Sequence, residues 1–459
     1  MQHHHLADQR VSRRNLLQTA GCGFGYLAMA GIAYSQAIAN GANQRPLSPQ
    51  EPHFAPKAKR VIFMFMQGGP SHIDMLDYKP ELASIAEKEK GGRGGALLPS
   101  PWKFVRHGES GLPISELLPN LALHADDLCL LNGMHTDNPA HPQATIMWHT
   151  GSINFVRPSI GSWVVYGLGT ENQNLPGFVT INPPDNLGGA QNYGSAFLPA
   201  SYQGTRINVA KEPIANIQNR IMDSDRQRRQ LDFVQSLNRD FREQTQHDSE
   251  VEGIIQSYEL AFRMQATVPD LMDIAQEPQA TKERYGIEDR TTRNFGTQCL
   301  MARRMAEAGV RFIQVNHRGW DQHNNLKVKL AENCQAIDQP IAALLEDLKQ
   351  RDMLKDTLLV WSGEFGRTAN EQNNFDGRRH NNRGYSAWLA GGGVRGGLRF
   401  GATDPTGNEA VEDKVHTHDL HATILHLMGL DHERLTYRYS GRDFRLTDVY
   451  GRVVSEIIA

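Results

Sequence analysis

The sequence predicts an α/β fold with a mostly parallel central sheet and helices on both faces of the sheet. Short apolar runs alternate with segments of helical periodicity along the 459 residues, which is typical of a doubly wound sheet. These runs are apolar without interruption, as expected of strands that are buried on both faces. The predicted strands are residues 61–66, 128–134, 178–181, 310–315 and 357–361.

The composition excludes several classes of protein. With 39% apolar and 22% charged residues, the chain is predicted to be globular rather than disordered or fibrous. The formal net charge of -3 gives no basic excess, so no nucleic-acid partner is expected. After residue 39 the chain has three cysteines, Cys129, Cys299 and Cys334. This odd number and the wide spacing match neither a disulfide framework nor a zinc ribbon.

Residues 1–39 are predicted to be a twin-arginine (Tat) signal peptide. Residues 12–17 read Ser-Arg-Arg-Asn-Leu-Leu, and a weakly apolar run and an Ala-Ile-Ala cleavage pattern at 37–39 follow. The apolar run is short and interrupted by glycine and polar residues, so no stable membrane span is expected after cleavage. A membrane anchor and lipidation at Cys22 are the alternatives. The Tat export machinery would deliver the protein to the periplasm or the cell exterior.

The rest of the chain is expected to form one domain. Residues 40–58 are rich in Asn, Pro, Ser and Gln and are predicted to be a flexible spacer before a domain at 59–459. Residues 215–268 are charged and helical in period, which predicts a helical insertion with solvated charged faces. Residues 419–429 predict a helix that ends at a glycine.

Candidate functional residues follow the first predicted strand. Ligands of open α/β sheets bind beyond the carboxyl ends of the strands, so the loops there are the first place to search. A tight glycine turn is followed by Ser71, His72 and Asp74, of which His72 and Asp74 form a candidate metal-binding pair. The alternative is a turn in which Ser71 or Asp74 caps the next helix.

A second candidate group follows the strand predicted at 310–315. Asp321 and His323 form a D-x-H triplet in this loop, and carboxylate with imidazole suits zinc, manganese or iron. A polar loop without a ligand is the alternative. His380 lies at the edge of another predicted strand and is a natural third ligand with Asp321 and His323.

Two further loops add candidates. After the strand at 357–361, Glu364 could bind a metal and Arg367 could hold an anion, although a Glu–Arg ion pair that fixes the loop is the alternative. Thr136 and His141 precede a predicted helix whose N-terminus would favour an anion. The chain has no nucleotide-binding P-loop, no G-x-S-x-G elbow and no H-E-x-x-H helix.

The order of these groups resembles the alkaline phosphatase superfamily, which includes sulfatases, phosphodiesterases and cofactor-independent phosphoglycerate mutases. The chain is most similar to its Tat-exported, sulfatase-like members of uncharacterised function. The segments that carry the resemblance are 68–77, 319–323, 362–368 and 418–445. The resemblance implies an alkaline-phosphatase-like sheet in which Glu364 binds one metal, while Asp321 and His323, completed by His380, bind another.

The chain departs from the superfamily pattern at two places. The first strand of the family ends in an acidic metal ligand, but this one ends in Gln67 and two glycines, so His72 or Asp74 would have to substitute. The formylglycine position of family sulfatases falls on His141, and no C-x-P-x-R or S-x-P-x-R string occurs. The formylglycine mechanism is therefore not expected.

The resemblance and the residues together predict an exported, metal-dependent hydrolase of phosphate or sulfate esters. Its cofactor would be a divalent cation, zinc first among the candidates and manganese or calcium as alternatives. Its substrate would be a small-molecule or polysaccharide ester. Arg367 would assist while His141 or an activated water attacks, with Ser71 and Thr136 as other nucleophiles. The alternative is an inactive binding or scaffold protein on the same fold.

Overall fold

The computed structural model describes residues 47–88, 96–209, 214, 217, 221–244, 249–372 and 375–459. The predicted signal peptide at 1–39 lies outside the described residues.

The described chain alternates helices with strands. The α-helices are α1 (His72–Met75), α2 (Leu82–Lys88), α3 (His141–Thr150), α4 (Ile160–Leu168), α5 (Ser224–Gln244), α6 (Ser249–Met272), α7 (Gln279–Arg284), α8 (Arg293–Glu307), α9 (Leu326–Gln350) and α10 (Thr417–Leu427). The strands are β1 (Arg60–Met66), β2 (Phe104–His107), β3 (Leu112–Ser115), β4 (Leu128–His135), β5 (Phe178–Ile181), β6 (Thr205–Ile207), β7 (Phe312–His317), β8 (Thr357–Ser362), β9 (Gly366–Gln372), β10 (Phe375–Asn381), β11 (Tyr385–Ala390), β12 (Leu398–Phe400), β13 (Ala402–Thr403), β14 (Ala410–Glu412), β15 (Val415–His416), β16 (Tyr437–Tyr439) and β17 (Arg442–Phe444).

A nine-stranded sheet forms the centre of the molecule. Its strand order is β12-β4-β11-β8-β1-β7-β5-β6, and β15 pairs with β4. β1 is parallel to both β7 and β8, whereas β11 is antiparallel to both of its neighbours, β4 and β8. The predicted α/β class with a mostly parallel sheet is confirmed.

All five predicted strands lie in this sheet, and one is displaced along the chain. The strand predicted at 310–315 runs from Phe312 to His317. Helix α8 ends through a left-handed Gly309, and the Val310 amide donates to the Met305 carbonyl at 3.0 Å. Val310 therefore closes the helix, and the strand begins two residues later.

Helices cover both faces of the sheet. Gln314 of β7 hydrogen-bonds His149 of α3 at 2.9 Å, while His317 of the same strand contacts Phe295 of α8 with ring centroids 5.4 Å apart. Side chains alternate between faces along a strand, so positions three apart point in opposite directions. α3 and α8 therefore lie on opposite faces.

The helical insertion predicted at 215–268 falls on α5 and on α6, which continues to Met272. Helix α6 places Leu260, Met264, Val268 and Met272 in the hydrophobic core. These residues are spaced by four and form one stripe of the helix, as expected of an amphipathic helix that packs on a domain. The insertion is thus joined to the core through α6.

The described part of the predicted spacer, residues 47–58, contacts the domain. Leu47 is buried, and the amides of Gln50, His53 and Lys57 donate to carbonyls of residues 168, 429 and 427 at 2.8 to 2.9 Å. These backbone hydrogen bonds hold the segment against the ends of α4 and α10.

None of the helices in the described ranges is both long enough and apolar enough to cross a membrane.

The stacking of Phe63 on Trp148 fixes α3 against the sheet, with ring centroids 4.6 Å apart and both side chains buried. We expect Phe63→Ala to lower the free energy of unfolding by about 3–5 kcal/mol, because it leaves a cavity beneath the helix. Urea unfolding measures this change. Leu123→Ala, at a position that is 81% exposed, is the control and should cost less than about 0.5 kcal/mol. Equal effects of the two substitutions would contradict the packing described.

Candidate metal centre

The carboxyl ends of β1, β7 and β8 meet at one edge of the sheet, because these neighbouring strands are parallel. The loops that follow them carry most of the residues singled out in the sequence. Helix α3 and the β9–β10 hairpin contribute the others. The sheet therefore gathers at one edge groups that are far apart in the chain.

Four side chains form a cluster at this edge: His141, Asp321, His323 and His380. One ligand atom from each lies within 4.8 Å of all the others. His141 is the first residue of α3, Asp321 and His323 lie in the loop after β7, and His380 lies on β10. The expected trio of Asp321, His323 and His380 is brought together, and His141 joins it.

The cluster converges on one carboxylate oxygen. The Nε2 atoms of His141, His323 and His380 lie 3.2, 2.8 and 3.2 Å from Asp321 Oδ1. The Nε2 atoms of His323 and His380 are 2.9 Å apart. Ligand atoms at neighbouring corners of a zinc tetrahedron are about 3.3 Å apart, since zinc–ligand distances are about 2.0 Å. These four distances lie close to that value, and all the ligand atoms are within 4.8 Å of one another.

The other ring nitrogen of each histidine faces an acceptor. His141 Nδ1 donates to Glu364 Oε1 at 2.6 Å, His380 Nδ1 donates to the Pro139 carbonyl at 2.7 Å, and His323 Nδ1 donates to Gln372 Oε1. A neutral imidazole with its proton on Nδ1 has a lone pair on Nε2. Once no proton is held at Nε2, the three imidazoles present three lone pairs beside one carboxylate oxygen, which is a donor set that transition metals take, so the residues fit a bound cation.

The charges around the cluster shift the pKa values of its members. Burial alone would raise the pKa of Asp321, but hydrogen bonds from His141 and His380 and the Arg367 guanidinium hold it well below its usual range. Burial alone would lower the pKa of His141, but its bonds to Asp321 and Glu364 raise it to about 9. Burial lowers the pKa of His323. Asp321 is thus ionised, as a ligand must be.

Arg367 is not placed to hold a substrate anion. Its side chain is fully buried, and Nε donates to the Gly69 carbonyl at 2.9 Å. Its Nη2 donates to the Gly68 carbonyl and, at 2.5 Å, to Asp321 Oδ1. The anion-binding expectation is corrected, because the protein itself satisfies the guanidinium. Arg367 instead orients the carboxylate of the cluster.

Glu364 lies behind the cluster rather than in it. Its side chain is fully buried, and both carboxylate oxygens accept from the Gly68 amide at 2.9 and 3.0 Å. Its contact with the cluster is the hydrogen bond from His141 Nδ1. Neighbouring Phe365 packs its ring against both His141 and His380, with centroids 4.8 Å apart in each case. Glu364, expected to be a ligand, therefore contacts the cluster through His141 and is not a member of it.

His72, Asp74 and Ser71 are used in buried contacts away from the cluster. Asp74 forms an ion pair with Arg378 at 2.7 Å in which both side chains are fully buried, and Ser71 Oγ donates to Asp74 at 2.6 Å. His72 Nε2 donates to the Gly407 carbonyl at 2.8 Å. The expectation that His72 and Asp74 form a metal-binding pair is corrected. Arg378 already neutralises Asp74, and His72 Nε2 is engaged in its hydrogen bond to the Gly407 carbonyl.

Thr136 makes no hydrogen bond to the cluster side chains. Its amide donates to the Asn382 carbonyl at 2.8 Å, and its hydroxyl is buried without a hydrogen-bond partner among the described residues. Neither hydroxyl proposed as a nucleophile, Ser71 or Thr136, hydrogen-bonds a member of the cluster. The sequence reasoning missed the acceptors Gln372 and Pro139, and no motif marks either of them.

An experiment can distinguish a structural role of Asp74 from a role as a metal ligand. We expect Asp74→Ala to lower the free energy of unfolding by about 3–5 kcal/mol, because it leaves the Arg378 guanidinium buried and unpaired. Denaturant unfolding measures the loss, and the cation content of the folded variant should equal that of the wild type. Asp443→Ala, which breaks an exposed pair with Arg438, is the control and should cost less than about 1 kcal/mol. Loss of cation without loss of stability would restore Asp74 as a ligand.

Comparisons with known proteins give a family and several similar structures. An alkaline phosphatase superfamily protein from Vibrio parahaemolyticus is 8% identical, with 94% of this chain and 78% of that chain covered and a TM-score of 0.37. The lipoteichoic acid synthase LtaP from Listeria monocytogenes is 9% identical, with 88% and 78% covered and a TM-score of 0.39. The PsFucS1 sulfatase from Pseudoalteromonas sp. is 11% identical, with 82% and 68% covered and a TM-score of 0.35.

These solved structures include members of the superfamily that the sequence resembles, but identities and TM-scores this low assign no reaction to the chain. No curated protein matches it. The family model described as "Protein of unknown function (DUF1501)" matches residues 58–458, and the chain therefore belongs to that family.

Proposed function

We propose that this protein is a hydrolase of phosphate or sulfate esters that works with a single divalent cation held by His141, Asp321, His323 and His380. One observation carries the proposal. Three imidazole Nε2 atoms, each with its Nδ1 proton given to another acceptor, converge on the ionised carboxylate of Asp321. A divalent cation that displaces the proton at Nε2 would be held by all four groups at once.

The donor set favours zinc among the candidate ions. Three imidazole nitrogens and one carboxylate oxygen suit zinc or another transition metal, whereas calcium and magnesium prefer all-oxygen sites. Calcium is thus the weaker of the alternatives that the sequence suggested. Asp321 is 44% exposed and His323 is 31% exposed, so one side of the cluster faces solvent and a substrate can reach it.

The chemistry follows from the groups at this open side. When bound, the cation would polarise an ester oxygen and lower the pKa of a water molecule. Arg367 holds Asp321 in place, and Glu364 holds His141. Since neither Ser71 nor Thr136 contacts the cluster, water is the proposed attacking group. In that step water forms a bond to phosphorus or sulfur, and the ester oxygen leaves with a proton.

The N-terminus of α3 supports an anionic substrate. The N-cap residue is Ala140, which has no side-chain oxygen, so no side chain caps the first turn of this ten-residue helix. The amides at such an end and the helix dipole favour an anion, and His141 sets this end beside the cation site. A small-molecule or polysaccharide ester remains the proposed substrate, reached after Tat export to the periplasm or the cell exterior.

A non-catalytic cation-binding or scaffold role is the second candidate. The observation that favours it is the lack of a hydroxyl nucleophile hydrogen-bonded to the cluster in the described chain. Turnover of an ester would exclude this role, and a bound cation without any turnover would support it.

Removing cluster histidines tests both the site and the activity. We expect His323→Ala and His380→Ala to lower the zinc content of the purified protein at least about tenfold and to abolish hydrolysis of aryl phosphate, phosphodiester or aryl sulfate substrates, because each removes a ligand. Elemental analysis and a substrate panel give the two readouts. His107→Ala, on strand β2, is the matched control. Equal and negligible metal in wild type and variants would contradict the proposal.

The pH dependence of cation binding provides a separate test. The raised pKa of His141, about 9, means that a proton competes with the cation at neutral pH. We expect affinity for zinc to rise by up to about tenfold per pH unit between about pH 7 and pH 9, and to level off above that. Competition with a chelator at several pH values measures this change. An affinity that stays constant over this interval would contradict the assignment of His141 as a ligand.

A further inference from the structure

The three cluster histidines differ in the charge of the acceptor behind them. His141 has a carboxylate, Glu364, at 2.6 Å. His323 has the neutral amide of Gln372, and His380 has the neutral carbonyl of Pro139. An anionic acceptor draws the Nδ1 proton more strongly and makes the opposite nitrogen a better electron donor.

We propose that Glu364 is a positioning residue that makes His141 the strongest-binding of the three imidazoles, so that His141 anchors the cation while His323 and His380 bind it more weakly. This inference rests on the proposed cation site. It assigns to Glu364 a function different from the metal ligation expected from the sequence.

The burial of Glu364 supports this role. Its carboxylate is fully buried, and among the described residues no lysine or arginine forms an ion pair with it. A buried carboxylate needs hydrogen bonds and a nearby positive charge. The Gly68 amide and His141 Nδ1 give the hydrogen bonds. The Arg367 guanidinium already acts on Glu364 electrostatically, and a cation at His141 Nε2 would add a second positive charge that one imidazole joins to the carboxylate.

The turn at Gly68 makes this contact possible. Gly68 has a φ of +120°, and a Cβ at this position would lie 2.7 Å from the Asp321 amide nitrogen. A residue with a side chain would therefore push the turn away from the loop that carries Asp321. The glycine lets one backbone amide reach Glu364 while the neighbouring loop stays beside the cluster.

Two neighbouring side chains, Glu364 and Phe365, also restrict the orientation of the His141 ring. Glu364 accepts from its Nδ1, and the Phe365 ring packs against its face. Its side chain is 14% exposed, against 31% for His323. His141 is thus fixed before a cation arrives, whereas His323 lies on the solvent side.

Zinc and cobalt affinities of folded full-length variants test the inference. We expect Glu364→Gln to weaken zinc binding about 10–100-fold, because the neutral amide removes the charge behind His141. Gln372→Ala removes a neutral acceptor and should weaken binding less than about tenfold. Asp338→Asn is the matched control, since Asp338 is a buried carboxylate bonded to the amides of Asn120 and Leu121 instead of the cluster. It should lower the melting temperature and leave zinc affinity unchanged.

A gain of affinity tests the same idea if Glu364→Gln does not fold. Gln372→Glu places a carboxylate behind His323 at a half-buried position. We expect it to tighten zinc binding and to change the visible absorption spectrum of bound cobalt. Equal losses in Glu364→Gln and Gln372→Ala, or no gain in Gln372→Glu, would overturn the inference. A wild-type protein that binds neither ion would instead overturn the proposed function.

Discussion

The hydrogen bonds of the buried Arg367 guanidinium are the contact on which the candidate site depends. They reach the carbonyls of Gly68 and Gly69 after β1, Asp321 after β7 and the Arg378 carbonyl on β10. Backbone carbonyls in loops need donors when they are buried, and a guanidinium can serve several at once. One side chain therefore fixes two loops and the β9–β10 hairpin relative to one another and sets the direction of the Asp321 carboxylate.

Helix α3 supplies His141, the remaining member of the cluster, and is held at both ends. At its first residue, His141 donates to Glu364. At its last turn, His418 and His421 donate to the carbonyls of Gly151 and Trp148 at 3.0 and 2.7 Å. The last carbonyls of a helix lack partners within it, so these imidazoles satisfy them. A helix fixed in this way keeps its first residue at a constant distance from the loops that Arg367 holds.

Much of the fold could be predicted from the sequence, because uninterrupted apolar runs mark buried parallel strands. The D-x-H triplet and His380 do lie together, as the sequence predicted, because the β9–β10 hairpin that follows β8 brings His380 beside the loop after β7. The role of Asp74 could not be predicted. The role of this carboxylate depends on its ion pair with Arg378, which is 304 positions away in the chain. A local pattern of acid and imidazole looks the same whether a metal or a distant guanidinium neutralises the acid.

The same limit explains the different outcome for Glu364 and Arg367. The sequence placed Glu364 and Arg367 at the edge of the sheet where the cluster lies. It could not show that their polar atoms already bond to Gly68, Gly69 and His141. Direction and burial of a side chain depend on which loops meet it, and those loops come from other strands.

The contacts that Glu364 and Asp74 make within the protein also limit the chemistry that the site can support. A second cation beside the first would need another free carboxylate at this edge. Glu364 is committed to the Gly68 amide and His141, and Asp74 to Arg378. A single cation leaves more of the negative charge of a phosphate or sulfate ester unbalanced, and Arg367 is not free to offset it. The first turn of α3, which no side chain caps, is a positive feature beside the cluster that would offset part of this charge.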